Sequence, residues 1–176
     1  MSLDARLLRS TLGLFATGVT VIATGADDDV HAMTANAFSS LSLDPPLVLF
    51  CPGKKARMVE LLEQTRHFSI NILREDQDAL SWFFAGMWQA AEPPEFRFTA
   101  WDGSPRLEGC VAAFGCVLEH LLDGGDHWIV VGRVNSLHQG PAPRRPLVFY
   151  AGKYHQLASA AVEVPAVELL FHDPWG

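Results

Sequence analysis

Lys54, Lys55 and Arg57 arrive within four positions, directly after the run LVLFCPG, in a chain of 176 residues with formal net charge -7. Three cations behind an apolar run suit an anion. Met58, Leu61 and Leu62 follow at i, i+3 and i+4, which predicts an amphipathic helix from Lys54 to about Thr65. Cations in its first turn oppose the helix dipole, which favours negative charge at that end. A phosphate removes the conflict, because backbone N–H groups, dipole and side chains then converge on it. The plainer alternative is a solvated basic turn balanced by surface acids such as Glu60. The G-x-x-x-x-G-K-[ST] pattern of a P-loop is absent.

A second stretch, MTANAFSSLS (33 to 42), sets Thr34, Asn36, Ser39, Ser40 and Ser42 into an apolar context. Ala35 and Ala37 keep one face shallow, so a flat ligand could lie there with its edge hydrogen-bonded. Equally, small residues could form a face packed under a helix. A third stretch, GGDHW (124 to 128), puts Asp126 and His127 at a hairpin rim, where the carboxylate could orient the imidazole. A solvated turn histidine is the alternative. The remaining histidines show no ligand spacing, so no metal is expected. Neither a nucleophile elbow nor G-x-G-x-x-G occurs, which argues against a Rossmann cofactor site.

The elements that must position these residues are mostly short strands. GVTVIAT (18 to 24), VHAMTANAFSSLSL (30 to 43), LVLFC (47 to 51) and HFSINIL (67 to 73) read as strands, the last with Phe68, Ile70 and Ile72 buried and Ser69 and Asn71 facing out. GADDD (25 to 29) reads as a turn. GCVAAFGCVLEHLL (109 to 122) and HWIVVGRVNSL (127 to 137) flank a hairpin turn at DGGD, and LVFYAGKYHQL (147 to 157) reads as a last strand and turn. Helices are expected at 4 to 16, with Leu7, Leu8, Leu12 and Phe15 on one face, and at 76 to 88. Such a chain predicts a mainly β protein, an antiparallel barrel with added helices. Hydrophobic residues make up 49% and charged residues 19%, which fits one globular domain. The acidic balance argues against a nucleic-acid binder. No apolar run is long enough for a membrane helix. Cys51, Cys110 and Cys116 read as reduced, buried thiols; MSLDARLLRS does not read as a secretory leader, so a cytoplasmic protein is expected.

In this order, GVTVIAT, AMTANAFSSLSLDPPLVLFCPGK, HFSINIL, RLEGCVAAFGCVLEHLLDGGDHWIVVGRV and PLVFYAGKYHQL resemble the flavin reductase-like family. Its members are small proteins with an antiparallel FMN-binding split β-barrel, often the reductase components of two-component flavin monooxygenases. The resemblance covers about residues 7 to 157. It implies a domain at 1–157 and an extension of unknown role at 158–176. It also implies that the isoalloxazine lies against Thr34, Ala35, Asn36 and Ala37, with Ser39, Ser40, Cys51 and Pro52 nearby. The phosphate would sit at the turn carrying Lys54, Lys55 and Arg57, and His127 would lie near the nicotinamide as the catalytic residue. Many relatives carry Ser or Thr in that turn, whereas this chain reads Lys55-Ala56-Arg57-Met58.

What the resemblance implies functionally is NAD(P)H:flavin oxidoreduction. NADH or NADPH passes hydride to FMN, with FAD as the other candidate. Reduced flavin then diffuses to a separate flavin-dependent monooxygenase. A homodimer with flavin sites near the interface is also implied. The alternative within the same barrel is a flavin protein without free-flavin turnover, either a sensor or carrier or a pyridoxamine-phosphate-oxidase-like enzyme.

Overall fold

The computed structural model describes residues 3–26 and 29–158. The expected extension therefore lies outside the described residues, apart from residue 158, as do positions 27 and 28 of the GADDD turn. Asp4 starts helix α1 (Ala5–Leu12) by accepting from the Arg6 and Leu7 N–H groups at 2.8 and 3.4 Å. Gly13 ends it, earlier than the apolar spacing suggests. No residue of α1 is buried, so its leucine stripe faces outward.

The strands are β1 (Thr17–Gly18), β2 (Thr20–Ala26), β3 (Asp29–Ala35), β4 (Phe38–Leu43), β5 (Pro46–Phe50), β6 (His67–Ile72), β7 (Phe98–Trp101), β8 (Ser104–Leu107), β9 (Ala112–Gly124), β10 (His127–Gln139), β11 (Val148–Tyr150) and β12 (Lys153–His155). Helix α2 (Arg57–Thr65) follows β5, and α3 (Asp78–Phe84) follows β6. Seven strands form one antiparallel sheet in the order β3-β2-β6-β9-β10-β5-β4. β3 and β4 thus occupy opposite edges, yet only Asn36 and Ala37 separate them in sequence. The sheet must roll up to bring those edges together, and the seam between them is the split of the barrel. The β architecture expected from the sequence is the one observed. The expected single strand at 30–43 is corrected: it breaks at Asn36-Ala37, because its two halves pair with different partners, β2 and β5.

Two apolar clusters line the rolled sheet. Ile22, Phe50, Met58, Leu62, Phe68 and Val130 fill one, under α2. Val19, Val21, Leu73, Leu80, Leu107 and Leu147 fill the other. β6 is buried on both faces, so the expected outward placement of Ser69 and Asn71 is corrected; both are fully buried. The cause is the β7–β8 hairpin, a stretch for which the sequence predicts no element. Ser69 Oγ donates to Pro105 O, and Asn71 Oδ1 accepts from the Leu107 N–H at 2.9 Å. Asn71 Nδ2 donates to Val21 O at 3.0 Å and to Ser69 Oγ at 2.8 Å. The expected helix at 76–88 shrinks to α3. The expected final strand and turn is a hairpin, β11–β12, with β1 on its edge. Among the described residues no helix is long and apolar enough to cross a membrane.

Candidate functional site

The seam is where the polar residues of MTANAFSSLS come to the surface. The Thr34 hydroxyl donates to Ser81 O at 2.8 Å and ties β3 to α3, which leaves its oxygen lone pairs to accept. Ala35 is buried, and its carbonyl accepts from Thr20 Oγ1 at 2.6 Å. Asn36 and Ala37 are exposed. The Cys51 N–H donates to Ala37 O at 3.1 Å, which fastens the junction to the end of β5. Ser39 and Ser40 are exposed on β4, and the Ser39 hydroxyl turns back to Ser40 O.

Two cavities meet at Asn36. One, of about 520 Å³, is bounded by Asn36, Ala37, Ser39, Cys51, Thr17 and Arg9. The Thr17 hydroxyl there is buried and has no hydrogen-bond partner among the described residues. The other, of about 290 Å³, is bounded by Thr34, Ala35, Asn36, Trp82, Phe149 and Tyr154. Sequence reasoning missed Arg9, Thr17, Trp82 and Tyr154, which reach the seam only through tertiary structure. Apolar walls beside an exposed polar backbone suit a planar heteroaromatic ring.

The turn after β5 and the β9–β10 hairpin are stitched together. Trp128 N–H donates to Pro52 O at 2.9 Å, Lys54 N–H donates to Asp126 O at 3.0 Å, and Gly53 forms an isolated bridge with His127. Two stretches singled out 73 residues apart thus form one ledge. His127 Nδ1 lies 2.7 Å from Asp126 Oδ1. That bond holds the Asp126 carboxyl below the usual carboxylate range, with the charge of His127 adding to it. With Nδ1–H donating, Nε2 is left to meet a ligand. His127 is half exposed.

The three cations part company. Lys54 and Lys55 precede the helix, which begins at Arg57, so the expectation of a helix starting at Lys54 is corrected. The extended backbone at Ala56 is the reason. Lys54 Nζ pairs with Asp123 and lies 5.2 Å from the Trp128 ring centroid, so it braces the hairpin. Its hydrogen bond lowers the Asp123 pKa. In the sequence Asp123 shows only as part of the DGGD turn, where its Oδ1 also accepts from Gly125 N–H at 3.0 Å. Lys55 and Arg57 are exposed. Among the described residues no side chain caps α2, so its first N–H groups remain for an anion. Arg57 also acts on His31 of β3, whose pKa is lowered by burial first and by the Arg57 charge second. Cys51 is a free, half-buried thiol at the ledge, and burial pushes its pKa up. Among the described residues no group of side chains could hold a metal ion.

Known proteins carry the same arrangement of sequence and fold. The chain is 43% identical over 157 residues to the reductase subunit HsaB of a flavin-dependent monooxygenase from Mycobacterium tuberculosis, covering 86% of this chain and 82% of that one. It is 42% identical to an NADH-dependent flavin reductase from a Rhodococcus species, covering 96% and 90%. Among solved structures, flavin reductase PheA2 superposes with a TM-score of 0.82 at 42% identity, covering 89% of this chain and 99% of that one. The Streptomyces globisporus NADH:FAD oxidoreductase SgcE6, in complex with NAD and FAD fragments, superposes at 0.81 with 34% identity, covering 92% and 99%. Residues 12–158 match the flavin reductase like domain, and the chain belongs to that family.

Proposed function

We propose that this chain is an NADH-dependent flavin reductase that exports reduced flavin to a separate flavin-dependent monooxygenase. The observation that carries it is the ledge, which sets His127 beside the Pro52-Gly53 turn and both beside the seam. When both are bound, the dihydronicotinamide would supply a hydride from C4 to flavin N5, and solvent would supply the proton that completes reduction. The cofactors supply that chemistry and the protein supplies alignment.

The residues present fit a flavin. The exposed Asn36-Ala37 junction and the β3 edge that no other described strand pairs with offer backbone N–H groups to the pyrimidine edge, where negative charge develops. Ala37, Ser39, Cys51 and Pro52 line the ring's surroundings in this reading. Lys55, Arg57 and the uncapped α2 terminus hold the phosphate, and Lys54 shapes the turn from behind. His127, fixed by Asp126, presents Nε2 to the nicotinamide carboxamide. The working unit is residues 1–157, with 158–176 as an extension. The outward leucines of α1 support a homodimer, and three free thiols support a cytoplasmic setting.

The experiment is NADH oxidation by the purified protein with and without added flavin. Turnover should rise with free flavin. His127→Ala should raise the NADH KM or slow turnover and leave flavin affinity in place. A flavin-bearing protein that leaves NADH and NADPH untouched would refute the reductase reading.

A further inference from the structure

Beyond the phosphate turn lies a cleft that the flavin site does not use. It is shallow, about 730 Å³, and is lined by His31, Phe83, Phe84, Phe96 and Arg97 among others. Its floor is a ring cluster. Phe96 sits 5.4 Å from Phe83 and 5.0 Å from Phe84, centroid to centroid, and Phe96 remains 41% exposed. Arg97 stands at the rim, 77% exposed and 3.7 Å from Glu108. An exposed aromatic floor with a guanidinium beside it suits a purine base on a phosphate.

The cleft is also in line with the flavin site. Among the described strands β3 pairs with β2 alone, so its outer edge carries no second strand. From Asn36 to His31 the edge runs five residues, roughly 16 Å at the usual strand rise. α2, which starts at Arg57, packs on β3, and the Arg57 charge is felt by His31. A flavin with its ring at Asn36 and its phosphate at Arg57 therefore ends at the mouth of the cleft.

We propose that this cleft takes the adenylate half of FAD, with the adenine over Phe83 and Phe96 and its phosphate between Arg57 and Arg97, so that FAD rather than FMN is the preferred flavin. The assignment rests on the flavin reductase reading above. It replaces the FMN preference expected from the resemblance.

The test is calorimetric titration of the full chain with FAD, FMN and AMP separately, then of AMP in competition with each flavin. FAD should bind about tenfold or more tightly than FMN, which is the size of one base–aromatic stack. AMP should compete with FAD and not with FMN. Phe96→Ala should bring the FAD-to-FMN ratio towards one; if it fails to fold, exposed Arg97→Gln should weaken FAD and AMP several-fold. Equal FAD and FMN affinities with silent AMP overturn the proposal. An unchanged flavin ratio with a raised NADH KM in these variants would move the adenylate to the nicotinamide donor and also overturn it. Absence of binding by either flavin refutes the flavin reading itself, and the FAD assignment with it.

Discussion

Replacing Asn71 with leucine tests how the barrel wall is joined to the β7–β8 hairpin. The side chain is fully buried and carries three hydrogen bonds, two donated by Nδ2 and one accepted from the Leu107 N–H. Leucine keeps the volume and removes all three. Each of the two bonds donated by Nδ2 costs about 1 kcal/mol net when lost, and the buried Leu107 N–H left without a partner costs about 1–3 kcal/mol. The sum is about 3–5 kcal/mol, a large share of the 5–15 kcal/mol typical of a domain. At about 2–4 °C per kcal/mol for a chain of this size, Tm should fall by roughly 6–20 °C. Urea unfolding with an unchanged m-value is the direct assay. A loss below about 1 kcal/mol would mean that the hairpin is not anchored through Asn71, and the two-sided burial of β6 would need another explanation.

Lys54→Ala should raise the NADH KM several-fold with little change in flavin Kd, since Lys54 braces the hairpin that bears His127; a flavin Kd that rises while the KM holds would make it a phosphate ligand instead. Asp126→Asn should likewise raise the NADH KM at neutral pH. The Asp126 pKa is depressed in the folded chain, so its hold on His127 is present above the ordinary aspartate value and is lost as pH falls through the lowered one. An acid limb near pH 6 that vanishes in Asp126→Asn would contradict this. Gly132→Ala should destabilise by about 1–3 kcal/mol on thermal unfolding, because a Cβ there would lie 2.5 Å from Phe68 Cζ and 3.2 Å from Cys116 Cβ; a neutral outcome would show that Phe68 can move aside.

What the sequence made legible follows the range of the interactions. Alternation and turn chemistry revealed β2, β5, β9 and β10, because those signals are local. The Asp102-Gly103 turn between β7 and β8 was equally local, with positive φ at both residues, and D-G is the signal that would have found it. The break at Asn36-Ala37 was hidden, because nothing near it in the chain says that β3 and β4 take different neighbours. The polarity of Ser69 and Asn71 misled for a similar reason: their partners lie 36 residues or more away, except for the bond between them. The basic turn and the G-D-H hairpin were each visible as motifs. Their contact, and the diversion of Lys54 to Asp123, required the barrel.

The two-residue junction between opposite sheet edges makes the site a product of closure. Until β4 and β5 have joined β10, and β2 has joined β6, Asn36 has no cavity around it and Pro52 no hairpin against it. These pairings span long stretches of chain, so they belong to the slow, late part of folding. A ligand in the seam binds only the closed barrel, and it should raise the unfolding temperature in proportion to the logarithm of its concentration. By the same logic an inserted residue at Asn36-Ala37 would do more than lengthen a loop; it would slacken the one short tether that holds both lips of the seam in register.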